Sequence, residues 1–204
     1  MAVNSNVRDF LSKINQGVKP NLFYVDIVFP ASAAAAALPT STTDKELVNL
    51  LCKSAALPAS NLGVIEVPFR GRTVKIAGDR TFDTWTATFI NDNNFLVRNA
   101  MERWMRAMNA HEANTAERWT PSSAAADGYT ADIIVKQLDR DTTVSDPGGR
   151  VLRTYKLVGC FPTNVSQIDL AYDSNDQIED FTVEFQMQYW TCGTNSPDFN
   201  NIIA

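Results

Sequence analysis

The chain has 204 residues and a mass of 22.6 kDa, with 45% hydrophobic and 20% charged residues, ordinary values for a globular protein able to bury a core. Its formal net charge is −5 and its pI about 4.9, which argues against a protein that grips nucleic acid by neutralising phosphates. No run approaches the roughly 18–20 apolar residues of a membrane span, and the opening MAVNSNVRDF lacks a basic-then-apolar pattern, so export by that route is not expected.

Residues 4–16 predict a short helical arm. Val7, Phe10, Leu11 and Ile14 fall at i, i+3, i+4 and i+7, Ser5 is placed to cap the start, and Gly17 can end it. After Pro20, Leu22–Phe29 is a strongly β-prone run. An alanine-rich insertion, 31–45, follows; alanine favours helix while Pro30 and Pro39 interrupt it, so a short helix and a loop both stay open. The segments LLCKSAALPAS, GVIEVPF and TVKIAGDR read as short strands. Arg70-Gly71-Arg72 reads as the tip of a hairpin joining Val64–Phe69 to Thr73–Ala77.

Phe82–Ile90 alternates, with Trp85, Ala87 and Phe89 on one face and Thr84, Thr86 and Thr88 on the other. One long helix is predicted over Asn93–Ala110. Its apolar stripe is Val97, Met101, Trp104, Met105 and Met108, with Arg98, Glu102 and Arg106 opposite, and such a stripe most simply covers a sheet. Ala116–Gly128 reads as a loop. Strands at Ala131–Leu138 and Arg150–Val158 are joined by a turn-forming segment ending in Pro147-Gly148-Gly149. Ser166–Tyr172 and Ile178–Trp190 are read as the last strand pair, with Phe181, Val183, Phe185, Met187 and Tyr189 on one face of the latter.

These elements predict a mainly β protein with one flanking α-helix, an antiparallel β-sandwich or partly closed barrel. One domain is expected over 1–190, with a C-terminal extension at 191–204. Trp85, Phe89, Met101, Trp104, Met105, Phe181 and Phe185 are its expected core.

Patterns for catalysis are lacking. Cys52, Cys160 and Cys192 are odd in number and far apart, which fits reduced thiols rather than a disulfide framework or a zinc site. The one histidine, His111, sits in a polar run and reads as a solvated surface residue. Gly148-Gly149 lies in a turn between strands and opens no phosphate-binding helix. The segment containing Asp173 and Asp176 is a loose match to a calcium loop and reads better as a turn. No enzyme, cofactor or metal is expected.

Charge is distributed unevenly. The last basic residue is Lys156; beyond it stand seven acids, Asp169, Asp173, Asp176, Glu179, Asp180, Glu184 and Asp198, so this segment is −7 and the remainder, with 18 bases and 16 acids, is +2. Solvated strand faces and turns account for such a run, and so does a surface that repels a polyanion.

Four segments, KPNLFYVDI (19–27), CKSAALPAS (52–60), KIAGDRTFDTWTATFIND (75–92) and the stretch from Leu157 to Trp190, closely resemble the tail tube protein family of large contractile-tailed bacteriophages. AGDRTFDTW and FPTNV are the most specific of the shared motifs. The resemblance implies a structural virion protein of the tail tube fold, in which subunits form hexameric rings that stack inside a contractile sheath as the conduit for the genome. It implies as partners other copies of the chain, the sheath, baseplate and tail-terminator proteins, and DNA that passes without specific binding. It implies assembly in the bacterial cytoplasm and brings no catalytic residues. The chain departs from shorter members at 31–45, at 139–150 and after Trp190. The alternative is the inner tube of a phage-like contractile injection or type VI secretion apparatus with protein cargo. A rival of another class is a β-sandwich binding module that never forms tubes.

Two sets of residues are candidates for assembly. Phe69, Arg70, Arg72 and Lys75 at the hairpin are placed to reach the next ring or subunit. Asp180, Thr182, Glu184, Gln186 and Gln188 share one face of the last strand, with Asp169 expected to join from the adjacent strand. Acids and amides on that face suit the wall of a channel through which DNA must slide without sticking. An outer, sheath-facing or solvent-facing position is the competing placement.

Overall fold

A long strand that bends in its middle organises the molecule. The computed structural model describes residues 7–14, 17–30, 42–123, 128–140 and 151–193. The alanine-rich segment before Thr42, the turn beyond Arg140 and the chain after Gly193 lie outside the described residues, as does the expected cap at Ser5. In chain order the elements are α1 (Val7–Ile14), β1 (Phe23–Val28), α2 (Thr42–Leu51), β2 (Cys52–Ala55), β3 (Asn61–Phe69), β4 (Arg72–Thr81), β5 (Trp85–Ile90), α3 (Leu96–Met108), β6 (Ala131–Leu138), β7 (Val151–Val165), β8 (Asp180–Gln186) and β9 (Tyr189–Gly193).

Strand β7 spans 15 residues and has two sets of neighbours. Its first half pairs with β6 on one edge and β9 on the other, and its second half pairs with β8. The order β1-β6-β7-β8-β5-β2 completes an antiparallel seven-stranded sheet whose end strands are β1 and β2. The bend falls at Gly159, whose φ of 65° is the left-handed region that glycine enters without steric cost. The Gly159 amide donates to Asp132 Oδ1 at 3.2 Å, off the regular ladder. The pairing of β7 with the last strand therefore breaks opposite Gly159, and the expected single strand Ile178–Trp190 is two, β8 and β9. β7 itself runs beyond the expected end at Val158 and includes the FPTNV motif.

The core lies between the sheet and α3. Trp85, Ala87 and Phe89 of β5 and Phe181, Val183 and Phe185 of β8 are buried, while the residues between them are half-buried, the period-two pattern of a sheet with one covered face. Helix α3 lays Val97, Ala100, Met101, Trp104 and Ala107 on this layer. Trp104 sits 5.7 Å from Phe29 and 6.2 Å from Phe185 between ring centroids, and its indole N–H donates to Tyr129 O at 2.6 Å. Trp85 donates to Ala56 O at 2.6 Å, so both buried indoles keep a partner. The helix starts at Leu96, three residues later than expected, after a turn at Asn93-Asn94 over which the Asp92 carboxylate accepts from the Leu96 amide at 2.8 Å and the Asn94 amide at 3.3 Å.

Three expectations need correction. Met105 is half-buried on the flank of α3, because the buried arc is turned toward Ala100 and Ala107, whose small side chains let the helix sit close to the sheet. Leu50 and Leu51, read as strand, close α2, whose Val48 is buried and whose Asn49 Oδ1 accepts from the Val25 amide at 3.0 Å. Ser166–Tyr172 is not a strand; it belongs to an irregular loop, 166–179, in which Leu170 and Tyr172 are exposed. The loop turns on itself through Ser174 N–H to Ala171 O and Asn175 N–H to Asp173 O, with Asp176 at φ 59°.

Candidate functional site

Strands β3 and β4 form a two-stranded sheet of their own, apart from the seven-stranded one. They close on Phe69 opposite Arg72, with Arg70 (φ 43°) and Gly71 (φ 79°) as the two central turn residues. Positive φ at both positions is the turn whose twist matches two antiparallel strands. Arg72, expected in the tip, is the first residue of β4, and both strands are longer than expected.

Cross-strand pairing sorts the hairpin into unlike faces. Ile65 with Ile76, Val67 with Val74, and Phe69 with Arg72 share one; Glu66 with Lys75 and Pro68 with Thr73 share the other. Every one of these residues is exposed, and Phe69 is 61% so. Lys75 lies 3.7 Å from Glu66, and the Arg70 guanidinium sits 5.4 Å from the Phe69 ring centroid. A lone two-stranded hairpin is marginal in water, and one that exposes five large aliphatic and aromatic side chains on a single face is built for a partner.

The second surface is the face of β8 and β5 turned away from α3. Asp180, Thr182, Glu184 and Gln186 are half-buried there. Thr88 and Thr182 hydroxyls lie 3.1 Å apart, Thr86 is registered with Glu184, and Lys53 of β2 forms an ion pair with Asp180. This face is therefore threonine-rich and only partly anionic. Lys53, 127 positions from Asp180, was not among the residues singled out from sequence, and no local pattern links the two. Thr86 and Thr88 were legible as one face from their alternation. The structure leaves Asp169 off this face: it is exposed on the 166–179 loop rather than on an adjacent strand. Gln188 is exposed at the break opposite Gly159.

The loop itself bounds a solvent-open hollow of about 710 Å³, lined among others by Asp169, Leu170, Tyr172, Ile178 and Glu179. A smaller hollow of about 510 Å³ lies beside α3 against Arg103, Arg106 and His111, and His111 is exposed. No cluster of three or more metal-ligating side chains occurs among the described residues. Burial pushes the thiols of Cys52 and Cys160 up to about 12, which makes them poor nucleophiles.

A family model described as phage tail tube protein matches residues 18–193. The chain is 31% identical over 172 residues to the tail tube protein gp19 of Enterobacteria phage T4, covering 84% of this chain and 90% of that one. It is 32% identical over 186 residues to the tail tube protein of Serratia phage KSP90, covering 91% and 94%. Among solved structures, the tube-terminating cap of the anti-feeding prophage superposes with a TM-score of 0.58 at 18% identity, covering 95% of this chain and 99% of that chain, a likeness of fold.

Proposed function

The chain belongs to the phage tail tube protein family and is a structural component of a contractile phage tail, and we propose that its copies close into six-membered rings that stack to form the genome conduit. The supporting observation is the β3–β4 hairpin, an exposed two-stranded ribbon whose apolar face has no cover within the described chain. A protein that buries such a ribbon only on association gains the hydrophobic stabilisation in the ring stack rather than in the monomer.

Ring closure uses a heterologous contact whose rotation closes, and stacking uses a second, axial one. We assign Phe69, Arg70, Arg72 and Lys75 to the axial contact. Asp180, Thr182, Glu184 and Gln186 are assigned to the channel wall, where threonine hydroxyls and carboxylates stay wetted and offer DNA almost no cations to hold it. Sheath, baseplate and terminator proteins are the other partners, assembly takes place in the host cytoplasm, and the role is not enzymatic. Identity of 31–32% to phage tail tube proteins favours DNA as the cargo.

Negative-stain microscopy of the concentrated, purified chain tests this reading. Stacked rings with a central channel are expected. Monomers or trimers at every concentration would favour a binding module instead.

A further inference from the structure

We infer that the hollow formed by the 166–179 loop is the seat, on a neighbouring copy of this chain, for the tip of the β3–β4 hairpin. The inference rests on the stacked-ring reading and names the surface that the axial contact meets.

Complementary chemistry carries it. The tip presents the Phe69 ring with two cations, Arg70 and Arg72, and no acid between residues 69 and 75, while Lys75 on the other face pairs with Glu66. The 166–179 loop presents four acids, Asp169, Asp173, Asp176 and Glu179, with no Lys or Arg. Both are also apolar where a solvated turn has no reason to be. Leu170 is 81% exposed, Ile178 76%, and Tyr172 fully exposed, which leaves three large side chains uncovered on one loop. Every residue lining the hollow comes from 167–180, so no hairpin residue of the same chain fills it.

The tip is also suited to insertion. It is a two-residue turn two strands wide, and its Arg70 guanidinium is already stacked by Phe69 at 5.4 Å. Such an arginine can form paired hydrogen bonds to a carboxylate while the ring enters an apolar site. On docking, Phe69 lies against Leu170 and Ile178, Arg70 meets Asp169 in the hollow, and Arg72 meets Asp173, which stands beside it between the lining residues Tyr172 and Ser174. The strongly acidic end of the chain then has an axial task, besides whatever it contributes to the channel.

The test uses the full chain and reads the protein concentration at which tubes form, by sedimentation and microscopy. Arg70→Glu with Arg72→Glu, and separately Asp169→Lys with Asp173→Lys, should each raise that concentration about tenfold or more. Combining all four should bring it back to within about threefold of the unmodified chain. As a check independent of net charge, Arg70→Cys with Ser174→Cys in a Cys192→Ser background should give a covalent ladder of subunits without reductant. Unchanged assembly of the loop variant, or a four-fold variant no better than the worse pair, overturns the inference while leaving stacked rings intact, as does tube formation without a ladder. Absence of tubes from the unmodified chain overturns the stacked-ring reading, and the inference with it.

Discussion

Gly159 on β7 faces Gln188 so closely that a Cβ on the glycine would lie 2.8 Å from the Gln188 Cγ, and its φ of +65° is one that other residues avoid. The bend at this pair is what lets one strand serve β6 and β9 in its first half and β8 in its second. One face of the β8–β5 layer beyond the bend meets α3, and the other is half-buried.

Gly159→Ala should therefore destabilise the fold by about 1–3 kcal/mol, part from the left-handed backbone and part from the clash. Adding Gln188→Ala should return only the clash part, which a double-mutant cycle in urea measures. A Gly159→Ala variant as stable as the parent would show that the bend does not need glycine.

Neighbouring methionines of α3 should behave very differently. Met101 is fully buried, so Met101→Ala should cost about 2–5 kcal/mol, whereas Met105 is half-buried and Met105→Ala should cost less than about 1.5 kcal/mol. Equal losses would return Met105 to the core.

Stability should also depend on pH through the two buried thiols. Burial raises Cys52 and Cys160 from 9.0 to about 12 in the folded chain, so above pH 9 the unfolded state loses protons that the folded state retains. Their contribution is whole below pH 9 and is lost as pH rises toward 12. The denaturation midpoint should fall across that window, and less steeply in a Cys52→Ala, Cys160→Ala variant. Identical slopes would mean that the thiols are not shielded.

Much of this architecture was legible because burial writes a period into the chain. Trp85–Phe89 and Phe181–Phe185 alternate since one face meets the core, and a strand assignment needs nothing more. The same rule misled at Ser166–Tyr172, where Ile168, Leu170 and Tyr172 alternate without a strand to pair with. The bend at Gly159 carries no mark of its own in the sequence, since a glycine inside an apolar run is as compatible with a bulge as with a turn. Of the candidate surfaces, the hairpin was visible in its turn residues. The Lys53–Asp180 pair was not, because it joins residues far apart in sequence through a sheet order that no local pattern encodes.

The channel assignment predicts a gain of stickiness. Tubes carrying Glu184→Lys and Thr182→Lys should retain short duplex DNA at low salt and release it as salt rises, because each added lysine that meets a phosphate releases a counterion. Unmodified tubes should retain none. Lysine tubes that bind no DNA, while admitting it to the channel, would place these residues elsewhere.

The most direct measurement is a cryo-electron microscopy reconstruction of tubes assembled from the purified chain. It should show six subunits per ring, the β3–β4 hairpin crossing from one ring to the next, and Thr182 and Glu184 on the channel wall. Hairpins that remain within their own ring, or a β8 face turned to the outside of the tube, would contradict it.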